Sequence, residues 1–156
     1  MKRDETSLQE RYGPNTICFG CGPANQNGLR IKSHVRGERV TCEWLPAKHH
    51  EAFPGVLNGG IIGTLLDCHM NWTAAYNLMG AKGLDSPPVT VTAEFRVRLR
   101  HPTPSNETVL LTARLLELDY PRAVVESTLE AGGNVTATGR GTFVAVNERH
   151  QAWHQR

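Results

Sequence analysis

Two features of this chain combine residue types and spacing that could do chemistry: the start of a helix rich in glycine, and a carboxylate set among apolar residues further along it. Both lie in Phe53-Pro54-Gly55-Val56-Leu57-Asn58-Gly59-Gly60-Ile61-Ile62-Gly63-Thr64-Leu65-Leu66-Asp67. Amides at a helix N-terminus point outward and carry the positive end of the helix dipole. The Gly59 N–H can therefore meet a developing oxyanion, and without a side chain it lets a carbonyl come close. Asp67 follows about two turns later, between Leu65, Leu66, Cys68 and Met70, a costly place for a carboxylate. The pattern alone leaves two readings open: a functional group, or a solvated member of a polar stripe with Thr64 and Asn71. Asn58 has the chemistry of an ordinary N-cap, and its amide could also polarise a bound oxygen.

Other groups carry less. Cys18-x-x-Cys21 has the spacing of half a zinc site, but no second Cys pair or His-x-His follows at a regular interval. His34, Cys42, His49 and His50 could add ligands only if the fold gathers them. The expectation is free thiols in a turn, with no bound metal and no cofactor, and with Cys42 and Cys68 in the core. Arg96, Arg98 and Arg100 alternate along one strand and could meet phosphates, although a solvated sheet face explains them as well. A Gly-x-Ser-x-Gly elbow is absent, and Gly55 to Gly60 lacks the dinucleotide spacing Gly-x-Gly-x-x-Gly.

The elements that must position these residues follow from periodicity. Leu29 to Val35 and Arg39 to Leu45 read as strands joined at Arg36-Gly37-Glu38, and Lys48 to Leu57 reads as a loop. From Gly59 to about Met79, Ile61, Leu65, Cys68 and Trp72 recur at helical spacing, closed by Gly80, Gly83 and two prolines. Val89 to Arg100 then alternates. Val89, Val91, Ala93, Phe95, Val97 and Leu99 would form a buried face, with Thr90, Thr92, Glu94, Arg96, Arg98 and Arg100 opposite. Thr108 to Leu118, Ala123 to Glu130 and Val135 to Val146 complete the strands. A strand pair, one long helix and four further strands is α+β order, with one antiparallel sheet large enough to wrap a single helix.

At 156 residues the chain has the size of one domain. Residues 1–27 read as a polar N-terminal segment with the Cys-x-x-Cys turn, 28–146 as the folded domain and 147–156 as a polar tail. With 15 Gly and 9 Pro, 39% hydrophobic and 21% charged residues, the composition is globular and rich in turns. Seventeen basic against fifteen acidic residues leave a net charge of +2, which gives no reason to expect a nucleic-acid partner. No apolar run approaches the roughly 18 to 20 residues of a membrane span, and the amino end lacks the apolar core of a signal peptide. A cytoplasmic protein without a membrane partner is expected.

The helix start resembles the hotdog-fold thioesterases, especially the phenylacetate-degradation type, whose signature is His-Gly-Gly, four variable residues, Leu, one residue, Asp. Asn58-Gly59-Gly60, Leu65 and Asp67 match every fixed position except the His, and the element order over about residues 28 to 146 is also that of this fold. Cys18-Phe19-Gly20-Cys21-Gly22 with Asn25, Gly28 and Leu29 resembles a lead-in found in some members. The resemblance implies hydrolysis of an acyl-CoA or other acyl thioester, with Asp67 as general base or nucleophile. Gly59, with Asn58 in the place of the His, would hold the oxyanion, and Gly60 would line the substrate site. It further implies a homodimer in which Asp67 faces Gly59 of the partner, with pairing into a homotetramer left open. A strand hydroxyl that orients the carboxylate is also implied; counting back from His101-Pro102 selects Thr92, counting forward from Pro88 favours Thr90, and Thr92 is chosen. Asn71, one turn after Asp67, could reach the same carboxylate, and the phosphates that Arg96, Arg98 and Arg100 could meet would be those of coenzyme A. Two rivals are a hotdog dehydratase or hydratase and a non-catalytic acyl-ligand binding protein. The first is disfavoured because Gly60 and Ile61 stand where its acid belongs; the second is supported by the missing His.

Overall fold

The computed structural model describes residues 5–155, so the ends of both polar terminal segments, residues 1–4 and 156, lie outside the described part. One long helix, α2 (Gly59–Lys82), is wrapped by a six-stranded sheet; a short α1 (Leu8–Tyr12) precedes it. The strands are β1 (His34–Arg36), β2 (Arg39–Trp44), β3 (Glu51–Phe53), β4 (Val56–Leu57), β5 (Thr90–Leu99), β6 (Val109–Asp119), β7 (Arg122–Ala131) and β8 (Asn134–Ala145). The main sheet runs β1-β2-β6-β7-β8-β5, antiparallel throughout, while β3 and β4 form a small hairpin of their own. This is the α+β arrangement that the element order implies.

Helix α2 starts where Asn58 Oδ1 accepts from the amides of Gly60 and Ile61, at 2.8 and 3.1 Å. It runs three residues beyond the expected end because Gly83, at φ 61°, supplies the left-handed C-cap and Gly80 is tolerated inside. Leu65, Leu66, Met70, Ala74, Ala75 and Leu78 are completely buried against the sheet. Each of the larger ones contributes about 1.5–3 kcal/mol relative to exposure. The sheet comes this close through Gly139: a Cβ there would lie 3.2 Å from Met70 Cε and 3.5 Å from Leu66 Cβ.

Three stretches depart from the sequence reading. Only His34 and Val35 of the first expected strand lie in β1, because the amides of Leu29 and Ile31 bond instead to the carbonyls of Phe19 and Gly20. The polar lead-in is packed: Ser7 and Glu10 form a capping box on α1, and Gln9, wholly buried, is hydrogen-bonded to Ser33. Residues 48–57 are ordered as a 3-10 turn and the β3-β4 hairpin rather than an irregular loop.

The largest correction concerns β5. A bulge lies between Thr92 and Glu94, where the pairing steps from Thr92–Phe143 to Glu94–Thr142 and leaves Ala93 as the extra residue. One extra residue exchanges the two faces of a strand. Thr90 and Thr92 before the bulge, and Phe95 and Leu99 after it, therefore turn to the helix side. The continuous alternation read from sequence, which set Thr92 on one face with the three arginines, does not hold. Nor is the apolar face buried within the chain. Strand β5 is an edge strand, and Phe95 and Leu99 are 42% and 56% exposed beside the start of α2.

Candidate active site

Asp67 and Thr92 meet because helix α2 crosses the first half of β5. Thr92 Oγ1 donates to Asp67 Oδ1 at 2.7 Å, and Asn71, one turn further along α2, donates to Thr92 Oγ1 at 3.4 Å and to the Thr90 carbonyl at 3.2 Å. The three residues expected to cooperate are thus brought together, and Thr92 rather than Thr90 supplies the hydroxyl. Thr90 Oγ1 donates instead to the Pro88 carbonyl. Burial pushes the Asp67 carboxyl above the ordinary range, opposed by the Thr92 hydrogen bond, which favours the ionised form. These groups line a cleft of about 390 Å³ whose apolar wall includes Ile17, Trp72 and Val89. That volume lies within the usual range for small-molecule sites.

The helix start is built differently from the expectation in one respect. Asn58 Oδ1 takes the Gly60 and Ile61 amides, so the Gly60 N–H is spent on the cap, while the Gly59 N–H is not drawn into it. Gly59 also lies eight residues from Asp67, or about 12 Å along the helix axis. The two do not reach one carbonyl within a single chain.

Arg96, Arg98 and Arg100 are not brought to this cleft. With Arg39, Arg114 and Arg140 they line a separate groove of about 610 Å³ on the outer face of the sheet. The register sets Arg39, Arg114, Glu126, Arg140 and Arg96 in one row across five strands, and Arg114 pairs with Glu126. The rings of His49 and His50 make a tilted contact with centroids 4.1 Å apart, His50 also contacts Trp44, and His50 Nδ1 accepts from the Ala47 amide. None of these holds a place beside Asp67.

The wall of the cleft contains a feature that sequence spacing missed. Cys68 is buried, as expected, yet its sulfur lies 3.7 Å from that of Cys18, and the sulfurs of Cys18, Cys21 and Cys68 all lie within 4.8 Å of one another. Hydrogen bonds from its two neighbours hold the Cys18 thiol well below its usual range and push those of Cys21 and Cys68 up. His34, Cys42, His49 and His50, the partners considered from sequence, do not join this group. No spacing rule links residues 18 and 68, and only the seating of the N-terminal turn on α2 joins them.

A long helix held inside one antiparallel sheet, with a carboxylate facing a strand hydroxyl midway along the helix, defines a protein of the hotdog class. No family model matches the sequence, and no curated protein matches it either. A solved thioesterase superfamily protein from Shewanella loihica PV-4 is 30% identical, over 80% of this chain and 98% of that one, with a TM-score of 0.65. The chain belongs to the thioesterase superfamily. Zebra fish thioesterase superfamily member 2 is 23% identical, over 79% of this chain and 90% of its own, with a TM-score of 0.63. The E. coli PaaI protein from the phenylacetic acid degradation operon is 12% identical, over 76% and 81%, with a TM-score of 0.64. At these two identities the likeness is one of fold.

Proposed function

We propose that the protein hydrolyses an acyl-CoA or related acyl thioester. Asp67 takes a proton from the water that adds to the carbonyl and returns it to the thiolate as the C–S bond breaks, or attacks the carbonyl itself, expelling the thiolate and leaving an anhydride that water opens; Thr92 holds its carboxylate and Asn71 holds Thr92. The Gly59 amide of a second copy, with the Asn58 side-chain N–H2, receives the oxyanion. The acyl group lies in the apolar part of the cleft. The observation that carries the reading is the 2.7 Å hydrogen bond between Thr92 and a half-buried carboxylate at the edge of an apolar cleft.

A homodimer is part of the proposal. Two antiparallel copies of α2 would set the Gly59 amide of one beside Asp67 of the other, spanning the separation of about 12 Å that lies between them in a single chain. The exposed Phe95 and Leu99 on the edge strand, and Phe53 at 70% exposure, offer the apolar surface such a contact needs. No helix among the described residues is long and apolar enough to cross a membrane, which suits the proposed cytoplasmic location.

The test is thiol release from short, medium, long and aryl acyl-CoAs by the wild type and by Asp67→Asn. A loss of turnover of about two orders of magnitude or more in the variant is expected. The second reading, a non-catalytic acyl-ligand binding protein, is favoured by Asn58 acting as the helix cap where an imidazole is expected. Saturable acyl-CoA binding without turnover, equal in both proteins, would establish that reading and end the first.

A further inference from the structure

We propose that Cys18, Cys21 and Cys68 form a binding site for a thiophilic divalent cation of the zinc type, at the wall of the Asp67 cleft. The inference does not depend on what Asp67 does. Tetrahedral zinc holds sulfur at about 2.3 Å, which sets two ligand sulfurs about 3.8 Å apart. Cys18 and Cys68 stand 3.7 Å apart, and the third sulfur is within 4.8 Å of both. A disulfide would engage only two of the three, whereas one cation engages all of them.

The turn that carries Cys18 and Cys21 is shaped for this approach. A Cβ on Gly20 would lie 2.4 Å from Cys68 Sγ and 2.8 Å from Thr64 Cγ2, so no larger residue lets the turn settle on α2. A Cβ on Gly22 would lie 2.4 Å from the Cys18 amide nitrogen, and the Gly22 amide closes the turn by donating to the Cys18 carbonyl at 2.8 Å. Three thiolates around one divalent ion leave a negative charge. Trp72 Nε1–H, which donates to Cys21 Sγ at 3.3 Å, is placed to offset it as an outer-shell donor. Cys21 and Cys68 are buried while Cys18 is exposed, so the site is closed on the protein side and open to solvent at one vertex. All three cysteines line the Asp67 cleft, so the ligand that completes the tetrahedron would enter from that side. Each thiol that coordinates releases its proton to the buffer, and no electron is transferred. The bound ion would clamp the segment around residues 16–31 to α2 directly beside Asp67.

The experiment is metal analysis of the reduced, untagged protein after gel filtration, followed by Co2+ titration read by absorption. Zinc is expected at one ion per chain in the wild type and in Cys42→Ser, whose sulfur is buried elsewhere, and in neither Cys18→Ser nor Cys68→Ser. The Co2+ form should show thiolate-to-cobalt charge transfer and the visible bands of a tetrahedral ion. Trp72→Phe, which keeps an aromatic ring but removes the N–H, should weaken Co2+ binding by about 10- to 100-fold. Cys18 is exposed, so the circular dichroism of Cys18→Ser should match the wild type and separate lost ligation from lost folding. Equal zinc in wild type and Cys18→Ser would mark an adventitious ion and overturn the proposal. A reduced wild type that gives no thiolate-to-cobalt band would overturn it equally.

Discussion

Acidification from pH 7 to pH 5 should weaken the fold chiefly through His69, which sits in α2 with no exposure to solvent. Its Nε2 lies 2.9 Å from the Val40 carbonyl, which can only accept, so Nε2 carries the hydrogen. Nδ1, 2.8 Å from Ser33 Oγ, is then the acceptor, and Ser33 Oγ in turn accepts from Gln9 Nε2 at 3.0 Å. Protonating Nδ1 would take away the acceptor of the Ser33 hydroxyl hydrogen and place a charge where water does not reach. Burial holds the imidazole down to about 4 from 6.5, opposed by the Val40 hydrogen bond. A histidine with a lowered folded-state pKa leaves stability complete above its unfolded value, because the unfolded chain takes the proton first as the pH falls. With these two values the loss is about 2 kcal/mol between pH 7 and pH 5 and approaches roughly 3 kcal/mol below pH 4. Urea unfolding at pH 7, 6 and 5 reads the stability, and the imidazole resonances in the folded protein read the site. His34 and His50 are lowered chiefly by burial and add a loss of the same sign, so the resonance of His69 itself decides. A His69 ring that titrates near 6.5 in the folded protein, or stability unchanged to pH 5, would refute the argument.

Other perturbations test the remaining parts of the account. Thr92→Val removes a hydrogen bond to a carboxylate, worth about 1.5–3 kcal/mol, and should lower kcat by about 10- to 100-fold with little change in KM, while Thr92→Ser keeps most of the activity. Steady-state kinetics on the best thioester from the substrate panel decide it. Gly20→Ala should cost about 1–3 kcal/mol in urea unfolding, because the new methyl meets Cys68 Sγ at 2.4 Å. Phe95→Glu should leave the fold intact, since Phe95 is already 42% exposed, yet shift the protein to monomer in sedimentation and abolish turnover together. An active monomer would remove the shared site from the proposal.

Much of the fold was legible because it depends on local rules. The helix from Gly59 follows from apolar spacing and from Asn58 as a cap, and the later strands follow from alternation and turn residues; the structure agrees with each to within a few residues. Asp67 and its distance from the helix start were likewise readable. The N-terminal segment was not: composition marks it as polar, yet Gln9, Ser33 and His69 bury one another's polar atoms across the chain. Polarity predicts exposure only when no partner waits in the interior.

The chain's order of residues by itself determined the element order, the cap, and the presence of one carboxylate on an otherwise apolar helix, because helix and strand periods and capping act within a few residues. Tertiary structure alone decided which faces meet. The extra residue at Ala93 turns Thr92 toward Asp67 and sends Arg96, Arg98 and Arg100 to the outer groove, and the seating of the Cys18–Cys21 turn brings Cys68 into a sulfur cluster. A bulge is set by pairing with the neighbouring strand and a cluster by close packing across fifty residues, and neither leaves a periodic trace in the sequence.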